Sequence, residues 1–279
     1  MVWRMNDATL TFIGGGNMAA SLIGGLIADG WDPARIRVAD SDPGQRERMA
    51  ARYQVTTTPD NAAAVSGSDA VVLAVKPQVM SAVVQQLAAA VAQQQPLVIS
   101  IAAGIRATTL RDWLGKDAAI VRAMPNTPAL VQSGATGLYA NAAVSEQQRS
   151  LAESILRAVG LVVWVEDEAL MDTVTALSGS GPAYFFLFME ALQAAGEEHG
   201  LSAESAHLLA VQTAFGAARM ALESSEDPAT LRRHVTSPGG TTERAIDVLQ
   251  EGDFEALIRR ALQAAKERSR ELAREFGDA

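Results

Sequence analysis

The stretch Thr9-Leu-Thr-Phe-Ile13 is a short β-rich run that passes without a break into Gly14-Gly-Gly-Asn-Met-Ala-Ala-Ser-Leu-Ile-Gly-Gly-Leu26. Gly14, Gly16 and Ala19 form a GxGxxA pattern between a strand and a helix, the context in which that pattern marks a dinucleotide-binding turn. Gly14 permits the tight turn, Gly16 lets the backbone approach a pyrophosphate, and Ala19 allows the helix to lie close to the strand. The helix start then faces the phosphates with free N–H groups and the positive end of its dipole. A glycine-rich βα turn with no ligand is the alternative.

Further β-rich runs follow at 36–40, 70–75, 96–101, 118–123 and 161–165, alternating with helical patterns. This is the signature of βαβ units around a mostly parallel sheet. After Val165 the β signal ends, and Ala183 to Phe276 reads as helices separated by turns. The expected fold class is therefore α/β, with a Rossmann-type dinucleotide-binding domain over 1–165. An all-helical domain over 166–279 follows it. Phe254, Leu257, Ile258, Ala261, Leu262 and Ala265 follow the spacing of one apolar helix stripe. The run 183–192, AYFFLFMEAL, is apolar nearly all round, as a helix buried on several sides is. A domain of about 110 residues has too little volume to bury such a helix alone, which points to a subunit interface. A central helix in a monomeric bundle is the alternative.

Composition narrows the chemistry. The net charge is −9 with three lysines, Lys76, Lys116 and Lys266, which disfavours a nucleic-acid partner. There is no cysteine, so thiol nucleophiles, disulfides and Cys-ligated metals are out. The three histidines, His199, His207 and His234, lack metal-ligand spacing, so no metal is expected. No apolar run approaches the roughly 18 residues of a membrane span, and no signal sequence is evident, so a cytoplasmic protein is expected.

The second strand ends at Asp40, 24 residues after Gly16, where an acid commonly accepts from the adenosine ribose. Read alone, Asp40 favours NAD, whereas Ser41 with Arg35, Arg37, Arg46 and Arg48 nearby is able to accommodate a 2′-phosphate. In an open α/β sheet ligands lie beyond the carboxyl ends of strands, so Ala74 to Pro77 and the turn at 102–104 should border the cofactor. Lys76 is as readily a solvated lysine.

Hydride transfer with a nicotinamide fits such a chain. No lysine lies between Lys116 and Lys266 to handle a proton, and His234 is a weak candidate. The stretch 234–243, HVTSPGGTTE, offers another device: a Pro-Gly-Gly turn followed by threonines at a helix start. Unpaired N–H groups there suit a carboxylate, and Thr242 carries a hydroxyl donor. A plainly capped helix after a turn is the other reading. The loop 122–130, RAMPNTPAL, is stiffened by two prolines around Asn126 and should face the nicotinamide; 176–186, ALSGSGPAYFF, fits packing better than substrate contact.

FIGGGNMAASLIGGL, AVKP, VISIAAG, RAMPNTPAL, SGSGPAYFF and SPGGTT occur in the order and spacing of pyrroline-5-carboxylate reductases, and the chain resembles that family from Leu10 to its final helix. The resemblance implies reduction of L-1-pyrroline-5-carboxylate to L-proline, the last step of proline biosynthesis, with NADPH or NADH. It also implies homo-oligomers, dimeric through intertwined helical domains and often decameric. Carried onto this chain, Ile13, Gly14, Gly15, Gly16, Asn17 and Met18 hold the pyrophosphate. Asp40 stands at the ribose and Asn61 at the adenine side. Ala74, Val75, Lys76, Pro77, Ile101, Ala102 and Ala103 line the path to the nicotinamide. Ser237, Gly240, Thr241 and Thr242 bind the substrate carboxylate, with the Thr242 hydroxyl at the ring nitrogen as the catalytic group. Family members commonly have a small hydroxyl residue in place of Asp40, and many prefer NADPH. Another imine reductase, a hydroxy-acid dehydrogenase or a nucleotide sensor without catalysis are the competing readings.

Overall fold

The computed structural model describes residues 5–277. The chain runs β1 (Leu10–Ile13), α1 (Asn17–Ala28), β2 (Ile36–Ala39), α2 (Pro43–Tyr53), β3 (Thr56–Thr58), α3 (Asn61–Val65), β4 (Ala70–Leu73) and α4 (Pro77–Gln94). It continues through β5 (Leu97–Ser100), α5 (Ala107–Leu114), β6 (Ile120–Met124), β7 (Gly134–Ala140), α6 (Glu146–Arg157), β8 (Gly160–Trp164) and α7 (Met171–Val174). Five helices close it: α8 (Gly181–Glu198), α9 (Ala203–Glu223), α10 (Pro228–His234), α11 (Thr241–Glu251) and α12 (Phe254–Gly277).

One sheet has the order β3-β2-β1-β4-β5-β6-β7-β8, parallel except where β7 runs against β6. Its central strands are apolar on both faces because helices cover both. Leu10 and Phe12 join Val38, Val72 and Ile99 beneath Leu22, Ile23 and Leu26 of α1. Ile13, one residue on, points to the opposite face, with Ala39, Leu73 and Val98 beneath Met80, Val84 and Leu87 of α4. Thr11 shares that face fully buried, its hydroxyl 2.8 Å from the Ala64 carbonyl and 2.8 Å from Ser68 Oγ.

Two strands carried no signal in the sequence reading. β3 is a three-residue threonine edge, and β7 contains two glycines, which depress strand propensity. Gly137 of β7 has a packing reason: a Cβ there would lie 2.5 Å from Val174 Cγ1.

The chain forms two compact units. The first extends to Ser180 and includes the chain from Ala265 onward; the second is Gly181–Ala264. Loss of the β pattern suggested a division at 165/166, whereas packing keeps the segment up to Ser180 with the sheet. Asp172 in α7 accepts a buried 2.7 Å hydrogen bond from Ser269 Oγ of α12, and Gly137 abuts Val174.

The second unit is wholly helical and has almost no core of its own. Buried positions are Gly181 in α8 and Ala206 and Ala210 in α9. Phe185, Phe186 and Leu187 of α8 are 64%, 63% and 67% exposed. Leu208, Leu209 and Phe215 of α9 and Leu257 and Ile258 of α12 are exposed as well. Single soluble chains rarely leave apolar surface of this extent uncovered. Among the described residues, no helix is long and apolar enough to cross a membrane.

Candidate functional site

The sheet reverses its strand order between β1 and β4, and ligands of open α/β sheets bind at the carboxyl ends of the strands at such a point. Gly14 stands there. Its N–H donates to the Ala39 carbonyl at 2.7 Å, and Ala74 N–H donates to the Ile13 carbonyl at 2.8 Å, so the turn is held from both neighbouring strands. Gly14 has φ +98°, and a Cβ on it would sit 2.9 Å from the carbonyl carbon and oxygen of Ala74. Around Gly16, by contrast, no atom lies within 4 Å of where a Cβ would be. Gly16 is the N-cap of α1 and offers no side chain, so the first amides, at Asn17 and Met18, lack a side-chain acceptor. Open space before unpaired N–H groups at a helix start fits a pyrophosphate.

Gly15 N–H donates to Asp40 Oδ2 at 2.8 Å, and Gln45 Nε2 donates to the Gly15 carbonyl. Asp40 Oδ1 accepts from Asp42 N–H at 2.9 Å. Asn61 opens α3 beyond the end of β3, on the same edge as Asp40. Ala74 and Val75 leave β4; exposed Lys76 caps α4 without a side-chain hydrogen bond, and Pro77 is its first residue. Ile101, Ala102 and Ala103 leave β5, with Ile101 N–H donating to the Leu73 carbonyl at 3.2 Å. All these cofactor-side residues thus lie along one sheet edge.

Asn126 is a brace. It is buried, its Nδ2 donating to the Ser178 carbonyl at 3.0 Å and its Oδ1 accepting from Ala135 N–H at 2.9 Å. Gly179, in the π-helical turn 175–179, would set a Cβ 2.6 Å from Met124 Cε, the end of a flexible side chain that is free to shift. Sequence reasoning did not pick out Glu168. Its Oε1 accepts from Arg122 Nη1 at 2.8 Å and from Ala107 N–H, at the start of α5, at 2.6 Å. Both side chains are largely buried, 8% exposed for Arg122 and 18% for Glu168. Burial, with Glu168 and then Asp167 adding negative charge nearby, holds the Tyr139 phenol above its ordinary pKa. An arginine within an apolar run and a glutamate after the last strand carry no spacing that would have paired them.

In the second unit, Gly240 N–H donates to the Ser237 carbonyl at 2.9 Å, closing the Pro238-Gly239 turn. Gly239 takes φ +71°, and its N–H donates to Glu243 Oε2 at 2.7 Å. Gly240 is the N-cap of α11 and again has no side chain to cap it. Five other helices, α2, α3, α6, α9 and α10, have Asp or Ser caps in place. Ser237, Thr241 and Thr242 are exposed around the open amides of α11. His234 Nδ1 lies 3.3 Å from Glu226 Oε2.

A polar hollow lined by Ser68, Asp69, Gln94, Pro96, Ser145 and Gln148 lies at the amino-terminal edge of β4 and β5, away from the glycine turn. Asp69 there accepts from Thr9 N–H at 2.7 Å, and Ser145 and Gln148 cap each other. Among the described residues, no group of three or more acidic or histidine side chains is placed to hold a metal ion.

Residues 168–272 match the family model for pyrroline-5-carboxylate reductase dimerisation, and 9–104 match that described as NADP oxidoreductase, coenzyme F420-dependent. The chain is 55% identical over 273 residues to the pyrroline-5-carboxylate reductase of Pseudomonas aeruginosa, covering 98% of this chain and all of that one. It belongs to the pyrroline-5-carboxylate reductase family. Its fold is similar to that of a pyrroline-5-carboxylate reductase from Coxiella burnetii, with TM-score 0.93 and 51% identity over 95% of this chain and 98% of the other. A pyrroline carboxylate reductase of Plasmodium falciparum with NADP bound is similar at TM-score 0.85 and 28% identity, covering 97% of this chain and all of the other. Residues 9–104, which match the NADP oxidoreductase model, include the glycine turn and the carboxyl ends of β1 to β5.

Proposed function

We propose that this protein reduces L-1-pyrroline-5-carboxylate to L-proline, the last step of proline biosynthesis, with NADPH or NADH as hydride donor. The observation that carries the substrate assignment is the uncapped start of α11, where Gly239-Gly240 leaves amides and threonine hydroxyls open to a small carboxylate. Membership in the family supports the reaction.

In the reaction, hydride adds to the carbon of the ring C=N bond and the nitrogen ends as an amine. Ile13 to Met18 hold the pyrophosphate of the dinucleotide at the α1 start; Asp40 faces the ribose and Asn61 the adenine. Ala74 to Pro77 and Ile101 to Ala103 border the way to the nicotinamide. Ser237, Gly240, Thr241 and Thr242 bind the substrate carboxylate, and the Thr242 hydroxyl donates to the ring nitrogen as its charge changes. A protonated imine accepts hydride readily, so orientation with one donor suffices.

Functionally the chain divides into a dinucleotide domain to about residue 165 and a helical domain beyond it. The exposed faces of α8, α9 and α12 are covered by a second copy in a dimer, and dimers assemble further into a decamer. The protein works in the cytoplasm. Steady-state reduction of pyrroline-5-carboxylate, followed by nicotinamide absorbance, tests the reaction; inactivity on this substrate with both cofactors refutes it. Light scattering on the purified protein tests the assembly, and a monomer would refute the covered-face reading.

A further inference from the structure

We infer that Asp40 makes this reductase select NADH over NADPH, an inference that rests on the dinucleotide reading of the glycine turn. The Asp40 carboxylate is half-buried and held at both oxygens by backbone donors, Gly15 N–H at 2.8 Å and Asp42 N–H at 2.9 Å. Turning it aside would leave a part-buried backbone N–H of the phosphate turn itself without an acceptor, which is unfavourable. A carboxylate has about four lone-pair sites, so after two backbone bonds Asp40 still has room to accept from ribose hydroxyls. A 2′-phosphate brings negative charge to the same place and offers Asp40 no proton.

The arginines that the sequence set near this position are committed to other partners. Arg35 donates to the Asp7 carbonyl at 2.7 Å, and Arg37 to the carbonyls of Ala64 and Ser66 at 3.2 and 2.5 Å. Arg48 lies 3.6 Å from Asp42 and also donates to Gln45. Arg46 donates to the Asp40 and Ser41 carbonyls at 2.7 and 3.1 Å, bracing the backbone that presents the carboxylate. Asp60 adds a second acid on the same edge, capping α3 through Ala63 N–H at 3.0 Å. Each of the four guanidiniums is thus drawn to another acceptor, and none of the four forms an ion pair with the Asp40 carboxylate.

The test is calorimetric titration of NADH and NADPH, without substrate, into the full-length oligomer and its Asp40→Asn, Asp40→Ser and Arg46→Ala variants. Melting temperatures confirm that each is folded. The expected result is a wild-type Kd at least about 30-fold lower for NADH than for NADPH. Asp40→Ser should bring the two within about threefold, and Asp40→Asn, which keeps the shape and loses the charge, should fall between. Arg46→Ala, which removes the brace on the Asp40 backbone, should weaken NADPH binding no more than NADH binding. Equal or tighter NADPH binding by the wild type overturns the inference, as does an unchanged ratio in both Asp40 variants or selective loss of NADPH binding in Arg46→Ala. Because these titrations contain no pyrroline-5-carboxylate, failure of the proposed reaction would show separately, as intact cofactor binding without turnover.

Discussion

Helices α1 and α11 both have a glycine N-cap, Gly16 and Gly240, and they are built in opposite ways. The α1 turn is wedged into a sheet edge, with hydrogen bonds from two neighbouring strands and no room for a Cβ on Gly14. The turn before α11 is held by its own residues, Ser237 and Glu243, and Gly239 has nothing within 4 Å of a Cβ position. A site can therefore come from the same local chemistry, open amides at a helix start, with or without a rigid mount. The first mount suits a large cofactor that must be registered against the sheet; the second suits a small acid.

Gly14→Ala should have the largest effect. It combines a left-handed backbone with a contact of 2.9 Å to main-chain atoms that cannot swing away, for a loss of about 2–4 kcal/mol in chemical denaturation and abolished dinucleotide binding. Wild-type stability in this variant would mean that β4 does not brace the turn. Thr242→Ala comes next: turnover should fall about 100-fold, as for loss of one donor aimed at developing charge, with the melting temperature unmoved. Wild-type turnover would remove Thr242 from the chemistry and leave α11 an ordinary helix start.

Gly239→Ala separates the two turns most directly. Its φ of +71° has the same sign as that of Gly14, but without a neighbour the cost should be only the left-handed backbone, about 1–2 kcal/mol. A loss as large as that of Gly14→Ala would show that the α11 turn is braced after all. Gly16→Ala should have the smallest effect on folding, under about 1 kcal/mol, because its Cβ meets no protein atom. Dinucleotide affinity should still drop about tenfold, since the methyl occupies the ligand's space; unchanged affinity by fluorescence titration would place the pyrophosphate elsewhere.

Much of the fold was legible because its signals are local. β1 is a fully buried apolar run ended by glycine, and a backbone that must turn at φ +98° beside a strand leaves a glycine in the sequence. The same holds for the Pro-Gly-Gly turn and the threonines of α11. β7 was not legible, because Gly137 answers to Val174, 37 residues later, and no spacing rule connects them. Nor was the Arg122–Glu168 pair, which exists only once β6 and the segment after β8 are packed together.

By itself the sequence determined the α/β order, the nucleotide turn and the helical second half, since propensity, periodicity and turn chemistry act between near neighbours in the chain. The tertiary structure alone decided which faces lack a cover and where Asp40 and its surrounding arginines find their partners. In sequence, Asp40 stood among four possible cations; in the fold those guanidiniums turn to carbonyls and other side chains, while Gly15 and Asp42 hold the carboxylate. Charge count is a property of composition, but the charge a ligand meets depends on which groups remain unpaired after packing.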